Sequence, residues 1–433
     1  MMLYFTLEND IPIQIRDKNL RVETVAEGLS SPTSMDFIDN NNILVLEKDK
    51  GIVRLVSLNG TLSQEPALKL NVDTKGERGL LGIATKRIET TRSDSNSTFA
   101  TKRNVADEKG KLVFVYFTGS SSNNNNVINN TTLKNRIYSY DWNREKLVNP
   151  RLILDLPAEP GPYHQGGKLK VGTDNKNLYA VIGDLTNPNG VLQNFREGKK
   201  PDNTSSILQI QLDNNNSMYT NSKSNLLYTT SRDTANSTNY SYEHYAYGIR
   251  NSFGIEFDPV TGILWDTENG EYNYDEINIV KPGFNSGWAQ VMGPISRNDT
   301  NKIINNLVSL TGSAYADPVF SWKEQIGVTD IEFLNSTKFG SKYANNIFVG
   351  DINNGNLYYF EVNDNRSGLN FSSVNNGAHR GLEDSVADSK EELSQITFGT
   401  GFGRITDLET GPDGFLYILT YEDGKIYRIV PGT

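Results

Sequence analysis

The sequence predicts an all-β fold, a six-bladed β-propeller with four-stranded antiparallel blades and long polar loop insertions. Three observations carry this reading. A short pattern returns six times in the 433 residues: an apolar strand, a tight polar turn and a second apolar strand. Two-residue alternation rich in Val, Ile, Tyr and Phe, bounded by Gly, Asn and Asp, runs through the chain, and no long segment has helical periodicity. No Pro/Gly linker divides the chain, so packing of repeat on repeat accounts for its length.

The first copy reads NNILVLEKDKGIVRLV from Asn41. The second is KLVFVYFTG, resumed as NRIYSYDWN from Asn135, and the third pairs NLYAVIGD from Asn177 with SILQIQLD from Ser206. GILWDTENG from Gly262 and DEINIV from Asp275 form the fourth. NIFVGDINNGNLYYFEV from Asn346 and GFLYILTYEDGKIYRIV from Gly414 complete the set. Starts are roughly 65–85 residues apart, longer than the usual propeller repeat of about 40–50. Each copy supplies the inner strands of a blade, and the excess goes into loops. Polar inserts at Lys86 to Gly110, Ser120 to Thr132 and Asn214 to Tyr242 read as surface loops. A fourth, Asn365 to Ser394, is acidic, with a short helix expected around Ser385 to Leu393. Residues 1–20 read as an N-terminal arm and 21–433 as one propeller domain. Arg21 to Ala26 is placed to complete the blade of the C-terminal repeat.

Composition narrows the partners. A net charge of −10 without a Lys/Arg cluster argues against nucleic acid. No apolar run approaches the roughly 18–20 residues of a membrane helix. The absence of cysteine excludes disulfides and thiolate metal sites. About a dozen Asn-x-Ser/Thr sequons occur, including Asn59, Asn96, Asn130, Asn203, Asn236, Asn298, Asn335 and Asn370. Their clustering in polar inserts suggests N-linked glycans on a secreted or cell-surface protein. MMLYFTLENDIPIQI lacks the basic start and long apolar stretch of a signal peptide. A leader outside this numbering is expected; the alternative is an intracellular protein with idle sequons.

Four segments between the repeats carry chemistry. GPYHQGGKL presents His164, one of three histidines, on a Gly/Pro loop. Imidazole titrates near neutral pH, which suits proton abstraction; the alternative is a His bonded within a turn. Gly166 and Gly167 would let the backbone approach something bulky. In YGIRNSFGIEF, Arg250 precedes Asn251 and suits a two-pronged grip on a carboxylate or oxyanion, or a structural salt bridge. Further along this same second segment, which runs from Tyr247 to Trp288, ENGEYNYDE gathers Glu268, Glu271, Asp275 and Glu276 around Gly270, an oxygen-rich loop suited to Ca²⁺ or simply a solvated acidic turn. KGERGLLGIA places Glu77 and Arg78 before a small-residue strand, and FGTGFGRITDL places Arg404 in a Gly-rich turn. Each of these is either a ligand contact or a tie between blades.

Taken in order, GLSSPTSMDF, GERGLLG, PYHQGGKL, YAVIGD, YGIRNSFGIEFDPVTG, ENG…YDEIN, NSGW, PVFSWK, GFGRITDL…GPDGFLYILT and GKIYRIVP resemble the glucose/sorbosone dehydrogenase family. These are soluble quinoprotein sugar dehydrogenases that use pyrroloquinoline quinone (PQQ), and the likeness covers nearly the whole chain. It implies a six-bladed propeller that oxidises an aldose at C1 to the lactone, passing hydride to the quinone and then electrons to an unidentified acceptor. His164 would take the C1 hydroxyl proton. Arg250 and Asn251 would face the quinone, Glu77 would contact cofactor or substrate, and Arg404 would bind PQQ carboxylates. Ca²⁺ would be held largely by backbone carbonyls at Gly270 and Glu271.

The chain departs from the family pattern at Leu185, where a cofactor-contacting Gln is usual, at Asn353 for a Lys, and at Thr406 for a second Arg. Lys168 or Lys323 would have to substitute. His244 and His379 match no catalytic position and read as structural or exposed. Two further readings are a non-catalytic, glycosylated surface propeller that has lost PQQ, and a calcium-dependent propeller lactonase. The latter needs carboxylates from several blades on one metal.

Overall fold

The computed structural model describes residues 12–87, 110–120, 132–212, 229–230, 240–298, 306–371 and 381–432. Most of the polar inserts, His379 and the sequons at Asn96, Asn130 and Asn236 lie outside these residues.

The strands form six sheets. In each, the repeat read from the sequence supplies the central antiparallel pair: Asn42–Glu47 with Ile52–Ser57, Lys111–Ser120 with Leu133–Trp142, and Asn177–Ile182 with Ser206–Gln211. Leu264–Glu268 pairs with Asp275–Val280, Ile347–Asp351 with Leu357–Phe360, and Leu416–Thr420 with Lys425–Pro431. A further strand precedes each pair and lies innermost: Pro32–Phe37, Leu80–Arg87, Leu169–Val171, Ser252–Phe257, Val328–Phe333 and Ile405–Thr410. These innermost strands touch one another in that order, and the last touches the first. The architecture is a β-propeller.

Period-two alternation explains the ring. On Val328–Phe333, Ile331 and Phe333 enter the apolar cluster shared with the preceding sheet, which also holds Trp265, Ile277 and Trp322. Asp330 and Glu332 take the other face. One such cluster fills each gap between neighbouring sheets. That between the last sheet and the first joins Tyr417, Leu419 and Ile426 to Met35, Ile43 and Val45.

The ring is closed by chain termini, as expected. Leu20–Ala26 pairs antiparallel with Lys425–Pro431, from Leu20 opposite Pro431 to Ala26 opposite Ile426. Two expectations need correction. Only three sheets are four-stranded; two have five strands and one has seven. Short edge strands account for the excess, some pairing in parallel, as Ala246 with Phe284 and Ser321 with Val386 do. The helix spans Lys390–Ile396 rather than Ser385 to Leu393. Ser389 caps it by accepting from the Glu392 N–H, and Glu392 bonds back to the Ser389 N–H. Upstream, Val386 and Ala387 are committed to the strand pairing.

Candidate active site

The stretches that carry Glu77, His164, Arg250 and Arg404 each lie at the start of an innermost strand, whereas ENGEYNYDE forms the turn between Leu264–Glu268 and Asp275–Val280. The innermost-strand starts surround a cavity of about 280 Å³, lined from all six sheets, with Ser34, Leu81, Lys168, Phe253, Thr329 and Thr406 among its walls. Glu77, Arg404 and Gly166 also line it.

His164 adopts a left-handed backbone, φ +57°, a strained conformation that the surroundings must enforce. Its carbonyl and that of Arg250 would lie 2.4 and 2.7 Å from a Cβ at position 183, so only glycine fits between them. Gly183 therefore brings both loops together, and the next residue, Asp184, meets the imidazole. Its Oδ1 is 2.5 Å from His164 Nδ1 and accepts the Thr186 N–H, while Oδ2 accepts Trp288 Nε1–H at 2.9 Å. With the Nδ1 proton donated to the carboxylate, Nε2 keeps its lone pair, the requirement for a base. Trp288 also stacks on Arg250, whose guanidinium carbon is 5.5 Å from the ring centroid. Arg250 Nη1 donates to the Asn269 carbonyl, and its buried Nε finds no partner among the described residues.

A second network faces the cavity. Asn251 is buried; its Oδ1 accepts the Gly166 N–H at 3.1 Å and its Nδ2 donates to Glu77 Oε2 at 3.3 Å. Glu77 Oε2 also accepts the Gln165 N–H. Burial pushes the Glu77 carboxyl above its ordinary value, and these donors together with nearby His164 restrain the rise. Below Arg250, Glu268 accepts the Arg250 N–H and the Ser286 hydroxyl, and burial pushes it up to about 7.

The structure thus brings His164, Arg250, Asn251 and Glu77 together; of these Glu77 lines the cavity, as Arg404 does. Asp184, Trp288 and Lys48, which also lines the cavity, were missed. Only the Gly-Asp at the end of an apolar strand signalled Asp184. Gly166 and Gly167 make room for protein: a Cβ would meet the Val181 carbonyl at 2.7 Å and Leu81 Cβ at 2.5 Å, respectively.

The expected metal site is less complete. The Gly270 carbonyl accepts Gln325 Nε2–H, and Glu271 is exposed. Asp275 is consumed by the N–H groups of Gly270, Ile326, Gly327 and Val328. Among the described residues no group of three or more His, Asp or Glu is arranged to hold a metal ion. Carboxylates from several sheets do converge in the channel, but on lysines. Lys168 bonds Asp330 and Asp407, and Lys170 pairs with Glu256 and Glu409. Lys168 is therefore already neutralised and no substitute for a lost cofactor-binding cation. Lys323 is exposed, and Leu185 is buried.

The pattern described as Glucose / Sorbosone dehydrogenase matches residues 29–428. The chain belongs to this family. An aldose sugar dehydrogenase of Escherichia coli (strain K12) is 31% identical over 193 residues, 44% of this chain and 44% of that protein. The aligned part is thus less than half of the relative. Among solved folds of the glucose/sorbosone dehydrogenase type, the soluble aldose sugar dehydrogenase of Escherichia coli in the apo form has a TM-score of 0.62 at 20% identity, covering 95% of this chain and 100% of that one. The PQQ-bound aldose sugar dehydrogenase of Streptomyces coelicolor has a TM-score of 0.60 at 18% identity, covering 97% and 98%. At these identities the likeness shows the fold.

Proposed function

We propose that the chain is a PQQ-dependent sugar dehydrogenase that oxidises an aldose at C1 to the lactone. The observation that carries this reading is the His164–Asp184 pair set beside Glu77 and Asn251 at a cavity with cationic residues in its wall. The cavity suits a flat anion. Leu81, Phe253 and Ile352 offer apolar faces, Lys48 and Arg404 offer positive charge, and the buried Ser34 hydroxyl has no partner among the described residues. When bound, PQQ supplies the two-electron acceptor for the hydride leaving C1.

The protein's own groups do the rest. His164 Nε2 takes the C1 hydroxyl proton, and Asp184 fixes the tautomer and stabilises the imidazolium that forms. Arg250, held flat by Trp288, offers N–H groups to negative charge that develops opposite the base. Asn251 and Glu77 hold the Gly166 and Gln165 backbone, which sets the height of the His164 loop. Calcium, expected at Gly270 and Glu271, would share the Gly270 carbonyl with Gln325 Nε2–H. The same reading takes the six sheets as six blades of one domain, residues 21–433, with residues 1–20 as an arm. It places the protein outside the cell, with glycans at exposed sequons such as Asn59 and Asn335, and requires an external electron acceptor.

The test is titration of the purified protein with PQQ and Ca²⁺, followed by dye reduction across several aldoses. Sugar-dependent reduction that disappears in His164→Ala, with PQQ still bound, is the expected result. Normal turnover in that variant would remove His164 as the base. An absence of PQQ binding would favour the non-catalytic surface propeller, to which Asn353 and Thr406 point.

A further inference from the structure

This inference rests on the PQQ reading and deepens it. Asn353 and Thr406 leave the site short of two cations expected from the family pattern, and Lys168 is locked between buried carboxylates. The cavity wall holds another cation. Lys48 follows the strand Asn42–Glu47, and its backbone is pinned, with its N–H donated to the Ser31 carbonyl and its own carbonyl accepting the Leu80 N–H. Its stem lies over Gly79 of the GERGLLG segment. Gly79 has φ +145°, and a Cβ there would fall 2.6 Å from Lys48 Cγ. The sequence thus leaves space at position 79 for a lysine stem at position 48.

The Lys48 ammonium is weakly committed. It bonds Asp49 Oδ1 at 2.8 Å, and that carboxylate side chain is 43% exposed, whereas the lysine side chain is 9% exposed. Arg404, on the same cavity, repeats the arrangement: its Nε is 3.2 Å from Glu422 Oε1, and the two side chains are 51% and 60% exposed. Ion pairs with exposed partners hold weakly, so both cations are open to a stronger, less hydrated anion.

We propose that Lys48 is the second cationic anchor, beside Arg404, for the carboxylates of the bound quinone. Asp49 and Glu422 are stand-in anions that hold the two cations in place and yield them when the cofactor enters.

The test is a fluorescence-quenching titration with PQQ in the absence of sugar, on wild type, Lys48→Met, Lys48→Arg, Arg404→Ala and Asp49→Asn, with unfolding curves for each. Lys48→Met is expected to weaken binding about ten- to hundred-fold, the size of one charge-assisted contact. Lys48→Arg should bind nearly as wild type, and Asp49→Asn, which removes the competing carboxylate, should bind more tightly. Wild-type binding matched by a folded Lys48→Met overturns the anchor role alone. If Lys48→Met does not fold, Asp49→Asn decides, and unchanged or weaker binding there overturns the proposal. A wild type that does not bind PQQ overturns the cofactor reading and the anchor with it.

Discussion

Lys168→Met isolates the charge balance of the channel. The ammonium is 2.7 Å from Asp330 Oδ2 and also bonds Asp407, with the lysine side chain 6% exposed and each carboxylate 1%. Burial alone would favour neutral lysine, but Asp330, Asp407 and Glu409 overcome this and hold it protonated. Burial likewise raises Asp330, and Lys168 is the group that restrains the rise. Methionine fills a similar volume and removes the charge. Removing one partner of a buried ion pair costs about 3–5 kcal/mol, and the loss should fall at the upper end because two carboxylates share the ammonium. The sign with pH follows from linkage. A carboxyl with a raised folded pKa keeps a proton that the unfolded chain releases, so its contribution is present at low pH and is lost as pH rises through the folded value. Without Lys168 the folded value rises further. The deficit against wild type should therefore be largest near about pH 8 and shrink near about pH 5. Urea unfolding followed by tryptophan fluorescence at both pH values measures it. A deficit that is absent, or equal at both pH values, would refute the role assigned to Lys168. Lys168→Met/Asp330→Asn/Asp407→Asn, which leaves none of the three charges, should recover much of the loss.

Asp184→Asn should lower sugar-dependent dye reduction by about a hundred- to ten-thousand-fold, because an amide opposite Nδ1 favours the wrong tautomer; retained activity would remove Asp184 as the orienting group. Glu268, pushed up to about 7 by burial, should weaken the fold as pH climbs from its ordinary range toward neutrality, by on the order of 3 kcal/mol. Glu268→Gln should flatten that part of the stability–pH curve, and an unchanged slope would count against it. Gly82→Ala would bring a Cβ 1.9 Å from the Gly167 carbonyl. The clash should cost about 1–3 kcal/mol or more, measured as a lower unfolding midpoint, and a wild-type midpoint would show that the strand Leu80–Arg87 and the His164 loop can part.

Fold and site differed in how legibly they were written. The strand pairs were plain because Val, Ile and Tyr alternate over short, Gly- and Asn-bounded runs, as in NILVLE and KIYRIVP. The innermost strands were harder to see. Leu169–Val171 is only three residues long, and Asp330, Glu332, Asp407 and Glu409 look like solvated charges until the ring encloses them. His164, Arg250 and Asn251 stood out because unusual residues sit beside glycines. Asp184 did not, since its meaning depends on a contact with a loop twenty residues away. The commitment of Lys168 was equally invisible, since its partners lie 162 and 239 residues further on.

The pairing of Leu20–Ala26 with Lys425–Pro431 also sets a schedule for biosynthesis. Glu23 and Arg428, which bond across this seam, are 405 residues apart in sequence. At ribosomal rates of about 5–20 residues per second, the early strand waits roughly 20–80 s for its mate. Throughout that time it presents an open hydrogen-bonding edge, the feature most prone to capture by another chain. A nascent polypeptide stalled before Lys425 has no strand to offer it. Yield in the cell should therefore respond more sharply to delays in translating the last repeat than to equal delays in the middle.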